Sequence, residues 1–120
     1  MIIGKTFTFE SSHFLPDHPK CGKIHGHTYR LTVEVDGPIG KDHMVMDLHL
    51  LSEIVRDIIK DYDHTSLNEF FPNPTCEEMA VAIFDNLTTL LEVYKVPELV
   101  TVRTVQLQEG EGGYAKIIRS

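Results

Sequence analysis

Hydrophobic and polar residues alternate from Ile3 to His13, placing Phe7, Phe9, Ser11 and His13 on one side. They alternate again from His25 to Val35, where His25, His27, Tyr29, Leu31, Val33 and Val35 fall together. A period of two is that of a half-buried strand, so the chain opens with two strands whose apolar sides run into histidines. Asp36-Gly-Pro-Ile-Gly40 is a turn region, and Met44-Val-Met46 is a short extended approach to a helix. The period then lengthens. Asp47 is placed to cap a helix with the buried stripe Leu48, Leu51, Val55, Ile58 and Tyr62, and with Glu53, Arg56, Asp57 and Lys60 on its solvated side.

A loop from Asp63 to Pro74 follows, and Thr75 with Glu78 three residues on forms the capping box of a second helix. Its stripe is Cys76, Ala80, Ile83, Leu87 and Leu90/Leu91. Val100 to Glu109 and Tyr114 to Arg119 close the chain as a hairpin around Glu111-Gly-Gly113. The order ββααββ predicts an α+β fold, a four-stranded antiparallel sheet with two helices on one face. Helices on one side leave the other sheet face and two edges open. With Phe7/Phe9 and Tyr29/Leu31/Val33 apolar, the expected remedy is burial of an apolar face and both edges against sister subunits, in an oligomeric β-barrel.

The 120 residues suit one domain spanning 1–120, without repeat, linker or low-complexity tract. A net charge of −7 argues against a general nucleic-acid binder, so an anionic substrate has to be held locally. No apolar run reaches membrane-spanning length and no signal-peptide pattern opens the chain, which predicts no membrane partner and a cytoplasmic protein. The two cysteines stand in unrelated contexts and are expected to be thiols.

Candidate chemistry centres on His13, His25 and His27. Pairing of the first two strands brings the three imidazoles to one face, with Gly26 letting the backbone approach closely. Single histidines are ordinary core or surface residues, but three neutral imidazoles converging on an apolar side call for a metal or hydrogen-bond partners. Three protein nitrogens suit zinc with an open fourth position, the arrangement of a catalytic site. Cys21 in Cys21-Gly-Lys-Ile-His25-Gly-His27 has two readings: a fourth ligand closing a structural site, or a free thiol beside the metal. Asp63-His64 follows a helix end, where His64 either answers the helix dipole or works as a proton carrier oriented by Asp63. Glu109 shares a strand face with Val105 and Leu107. Its carboxylate either finds buried partners or reaches water beside the glycine-rich turn.

The ordered set Phe9-Glu-Ser-Ser-His13, Cys21-Gly-Lys-Ile-His25-Gly-His27, Met44-Val-Met-Asp-Leu48, Asp63-His64 with Leu67-Asn68, Asn73-Pro-Thr75-Cys-Glu77, and Glu109 resembles the 6-pyruvoyl-tetrahydropterin synthase family over essentially the whole chain. It most resembles the queuosine-pathway branch, 6-carboxy-tetrahydropterin synthase. The three-residue spacer Gly22-Lys-Ile24 is similar to that branch, and the spacer lacks the glutamate of a folate-pathway variant. The resemblance implies the tunnelling fold, assembled as a homohexamer of two trimers with active sites between subunits. It implies one Zn2+ per subunit on His13, His25 and His27, Cys21 as general base, and Asp63 with His64 as a proton relay. Glu109, with Thr75 and Glu77, would hold the pterin. The implied reaction is a lyase conversion of 7,8-dihydroneopterin triphosphate to 6-carboxy-5,6,7,8-tetrahydropterin with release of acetaldehyde and triphosphate. The runner-up is triphosphate elimination by a 6-pyruvoyl-tetrahydropterin synthase, and the alternative of another class is a zinc-stabilised binding module without turnover.

Cys76 departs from the family pattern of Ser or Thr. A thiol in the first turn of a helix is either reactive, with its pKa lowered by the dipole, or simply a small packed residue. His18, His43 and His49 match no family role and are expected to be exposed or locally hydrogen-bonded.

Overall fold

The structure is a computed structural model and describes residues 1–119. β1 (Ile2–His13) and β2 (His25–Asp36) pair antiparallel from Ile2 opposite Asp36 to His13 opposite His25. β3 (Thr101–Glu109) adds to β2 and β4 (Gly113–Ile118) to β3, giving the sheet order β1-β2-β3-β4. The register slips between Glu34 and Val35, so one extra β3 residue forms a bulge. That extra residue lets Val102 and Val105 oppose Val35 and Val33, and both are buried despite their odd spacing.

α1 (Leu48–Ile59) starts where Asp47 accepts the His49 N–H at 2.8 Å. It stops at Ile59, one turn short of Tyr62, the last residue of the expected stripe. Tyr62 is nonetheless buried, in the turn that follows, with its ring against Phe9, Phe70 and Phe71. α2 (Cys76–Val93) is capped by Thr75, whose hydroxyl accepts the Glu78 N–H at 3.1 Å. Only this half of the capping box forms, because the Thr75 N–H donates to the Asn73 carbonyl instead. The loop between the helices holds a short 3-10 turn over Leu67–Glu69.

Both helices lie on one side of the sheet. There Leu51, Ile54, Val55, Met79, Ile83 and Leu87 close over Phe9, Tyr29, Leu31, Val33, Val105 and Leu107. Replacing a fully buried member such as Leu31 with Ala would cost about 2–5 kcal/mol. The expectation of an apolar face left over for sister subunits is corrected here. Phe7, Phe9, Tyr29, Leu31 and Val33 are the helix-facing residues, whereas Thr6, Thr8, Glu10, Thr28 and Arg30 cover the open face and are exposed. Alternation supplies one apolar side per strand, and the helices have already used it. Among the described residues no helix is long and apolar enough to cross a membrane.

Candidate metal centre and active site

His13 ends β1 and His25 begins β2, directly opposite each other, and His27 lies two residues further along the same face. Tyr29, next on that face, is opposite Glu109 at the end of β3. Ligating atoms of His13, His25, His27 and Glu109 consequently come within 4.8 Å of one another, a group that could hold a metal ion.

Backbone carbonyls select the tautomers. Nδ1 of His13 lies 2.8 Å from the Pro74 carbonyl and Nδ1 of His25 lies 2.7 Å from that of Lys23, so each Nδ1 carries the hydrogen it donates. Neutral rings of this tautomer turn their Nε2 lone pairs inward, and those of His13 and His25 stand 3.1 Å apart. Two lone pairs at that distance repel unless a cation or proton lies between them. Nε2 of His27 is buried without a hydrogen-bond partner, although Glu109 Oε1 is 2.8 Å away, a close contact lacking hydrogen-bond alignment. The same oxygen is 3.3 Å from His13 Nε2. Three inward nitrogens, one of them orphaned, and a carboxylate make a donor set that fits a divalent cation such as zinc.

The charges respond to one another. A protonated His13 would donate its Nε2–H to Glu109, and that bond raises the His13 pKa above its ordinary value, overcoming burial. The same bond holds Glu109 below the usual carboxylate range, with the nearby histidines adding to it. Burial lowers His27.

Of the two readings of Glu109, buried partners or water, the structure gives it partners, and they are two of the histidines. The three-ligand reading of the sequence did not include it in the metal group. Strand parity puts Glu109 on the helix-facing side, but only the β2–β3 register brings it to the histidines. Cys21 is half-buried in the loop between β1 and β2, and its sulfur is not among the atoms that converge. A closed site of one cysteine and three histidines therefore has no support.

Asp63 and His64 sit on the edge of β1. The Glu10 N–H donates to Asp63 Oδ1 at 3.0 Å, the Glu10 carbonyl accepts the His64 N–H, and the Ser12 N–H donates to the Thr65 carbonyl at 3.0 Å. Asp63 Oδ1 is also 2.9 Å from His64 Nδ1. His64 takes φ 58°, a left-handed conformation uncommon outside glycine, and its ring is exposed. An open groove of about 590 Å3 joins His64 and Ser66 to Ser12, Thr28 and His27. Thr75 and Glu77 do not line it: the Thr75 hydroxyl is engaged as a helix cap and Glu77 is exposed in the first turn of α2.

Of the two readings of Cys76, the packed residue is the one the structure bears out. Its thiol donates to the Leu107 carbonyl at 2.9 Å and is buried, and desolvation pushes its pKa up to about 11. Burial outweighs the helix dipole, leaving a packed small residue. His18, His43 and His49 are exposed, and His18 is also locally hydrogen-bonded.

The sheet, its two helices and the metal-capable cluster define a tunnelling-fold enzyme, and comparison with known proteins agrees. The family model described as 6-pyruvoyl tetrahydropterin synthase matches residues 2–119. The chain belongs to that family and is a lyase-type tetrahydropterin synthase. It is 38% identical over 119 residues to an Archaeoglobus fulgidus protein provisionally named 6-carboxy-5,6,7,8-tetrahydropterin synthase, covering 99% of this chain and 96% of that one. Further relatives carry the same name without qualification. A Pyrococcus furiosus protein named dihydroneopterin monophosphate aldolase is 36% identical over 88 residues, covering 73% of this chain and 72% of its own. The solved Caenorhabditis elegans 6-pyruvoyl tetrahydropterin synthase shares the fold at TM-score 0.85 and 23% identity, over 100% of this chain and 96% of that one.

Proposed function

We propose that this chain is a zinc-dependent lyase converting 7,8-dihydroneopterin triphosphate to 6-carboxy-5,6,7,8-tetrahydropterin, with release of acetaldehyde and triphosphate, in the queuosine route. The observation that carries the reading is the convergence of the His13, His25 and His27 nitrogens, a donor set satisfied by a divalent cation, with the Glu109 carboxylate beside them. Whole-length similarity to the Archaeoglobus relative and the Gly22-Lys-Ile24 spacer favour the carboxy product. Zinc, when bound by the three histidines, supplies Lewis-acid polarisation of the substrate's side-chain hydroxyls and so acidifies the adjacent carbon.

The chain's own groups do the rest. Cys21, outside the converging set, remains available as the base that takes the proton from that carbon. Asp63 orients His64 through the 2.9 Å Oδ1 to Nδ1 contact, leaving the exposed Nε2 side of the ring to carry protons at the groove. Glu109 stays ionised because His13 and His27 hold its pKa down, and an ionised carboxylate can accept both N–H groups of the amino-pyrimidine edge. Thr75 and Glu77 lie outside the groove of their own chain, so a pterin contact from the start of α2 would be made in a site completed by a neighbouring subunit. The open groove and exposed His64 suit sites completed by neighbouring subunits in a homohexamer.

Mass analysis of the products formed by purified, zinc-loaded protein tests the assignment. The 6-carboxy product with acetaldehyde is expected. A product retaining the full three-carbon side chain would make the protein a pyruvoyl-forming enzyme, and an aldol-cleaved pterin without a carboxylate would place it with the Pyrococcus relative. Metal binding without turnover would leave only a binding module.

A further inference from the structure

The segment between β1 and β2 carries Cys21, and its shape depends on a residue that the reaction does not use. The Leu15 N–H donates to the Cys21 carbonyl at 2.7 Å, closing the loop at its base, and the His18 N–H donates to the Leu15 carbonyl at 3.2 Å. Asp17 reverses the chain with φ 68°, a region that Asp tolerates better than most residues. The His18 ring then folds back over the loop. Its Nδ1 accepts the N–H of Cys21 at 2.9 Å and that of Lys20 at 3.2 Å. Among the described residues, no other group accepts from these two amides. A Cβ on Gly22 would stand 2.9 Å from the His18 carbonyl oxygen, so the residue after the cysteine has to be glycine while the loop is closed.

We propose that His18 is a positioning residue for the Cys21 thiol, a role that rests on the reading of Cys21 as general base. Accepting two backbone hydrogens requires a lone pair on Nδ1, so the working form of His18 is the neutral ring with its hydrogen on Nε2. The direction of a cysteine side chain follows from the φ and ψ of its own residue, and the Cys21 amide is held by this acceptor. Without it, Leu15 still pins the Cys21 carbonyl, but the peptide before Cys21 can rotate and the sulfur loses its aim. Proton transfer would make a different demand on the same ring, and the two roles separate experimentally.

His18→Asn keeps an acceptor oxygen the same number of bonds from Cα as Nδ1 but cannot shuttle a proton, whereas His18→Ala has no acceptor. In the full-length, zinc-loaded protein, His18→Ala is expected to lower kcat by ~10–100-fold with KM and bound zinc within about two-fold of wild type, the scale of a small misplacement of a reacting group. His18→Asn should recover most of that loss. The rate of Cys21 alkylation by iodoacetamide, followed on the Cys21 peptide by mass spectrometry, should change several-fold in His18→Ala and return toward wild type in His18→Asn. Wild-type kcat and alkylation in His18→Ala would overturn the inference, as would His18→Asn being as impaired as His18→Ala in both measurements. Full turnover in Cys21→Ala would instead remove the base assignment, while the alkylation rates would still decide whether His18 positions the thiol.

Discussion

Facing Nε2 atoms of His13 and His25, 3.1 Å apart with their outer nitrogens tied to carbonyls, show how single residues set this site. His13→Ala, His25→Ala and His27→Ala should each lose most bound metal after dialysis, because two histidines remain as nitrogen anchors. Glu109→Gln, which keeps shape and removes charge, should weaken metal affinity by ~10–100-fold, and undiminished affinity would detach Glu109 from the metal group. Protons compete for the same nitrogens. His13 is raised by its bond to Glu109, so it begins to bind a proton above the ordinary histidine value of 6.5 as pH falls. Glu109 is lowered and stays ionised over that range, and His27, lowered by burial, protonates later. Metal affinity should therefore fall as pH drops from about 8 to about 6, which calorimetric titration at both ends checks; equal affinities would contradict histidine ligation. The two thiols should part company. Cys21→Ala should retain zinc and fold while losing ~10²–10⁴-fold in turnover. Cys76→Ser, whose hydroxyl can also donate to the Leu107 carbonyl, should keep activity within about three-fold. An inactive Cys76→Ser beside an active Cys21→Ala would reverse the choice of thiol.

At the scale of elements, the last residues of β1 have no partner strand on their outer side, and the segment following α1 occupies that place. Ser11 Oγ donates to the Tyr62 carbonyl, and the Asn68 amide bridges both backbone groups of Phe14 at 2.9 Å. The segment carries Asp63 and His64 to the end of the sheet where the histidines lie. Asp63 is its hinge pin, since one oxygen meets both the Glu10 amide and the His64 ring. Asp63→Ala should lower activity by ~10²-fold and speed amide hydrogen exchange at Glu10 while the β2 core amides stay protected. Unchanged exchange at Glu10 together with normal activity would remove Asp63 from both roles.

For the whole molecule, a radius of gyration of 15.2 Å and a longest extent of 53 Å describe a chain more extended than the roughly 14 Å radius expected of a compact domain of this length. The long β1–β2 hairpin and the open polar sheet face account for it. β1 is an edge strand whose outer side is already paired from Glu10 onward, so its free edge runs from Ile2 to Phe9, and β4 offers the other edge. Joining these edges between copies would close a barrel with a polar interior, not one sealed by apolar contact. Light scattering at micromolar protein should report a hexamer, and inactive Cys21→Ala and Glu109→Ala subunits should regain activity on mixing if the two residues serve one site from different chains. A fully active monomer would end the shared-site proposal.

The sequence alone sufficed for properties carried by local period and spacing. The strands, the buried sides of β1 and β2, and the meeting of His13, His25 and His27 follow from alternation and one antiparallel pairing, and the Asp47 and Thr75 caps follow from residue type and spacing. The end of α1 before Tyr62 was not legible, because an aromatic packed from a turn mimics the next helical position. The surplus apolar face was misread, since the one apolar side that period two gives each strand was assigned to the subunit interface as well as to the helices. Cys76 was ambiguous for a related reason: its place in a helix's first turn is local, whereas the burial that silences it comes from packing on β3. Tertiary structure alone decided that Glu109 joins the histidines, that Cys21 stays out of their cluster, and that Asp63 reaches across to Glu10. Those outcomes depend on register and on contacts between residues far apart in the chain, which no window of sequence contains.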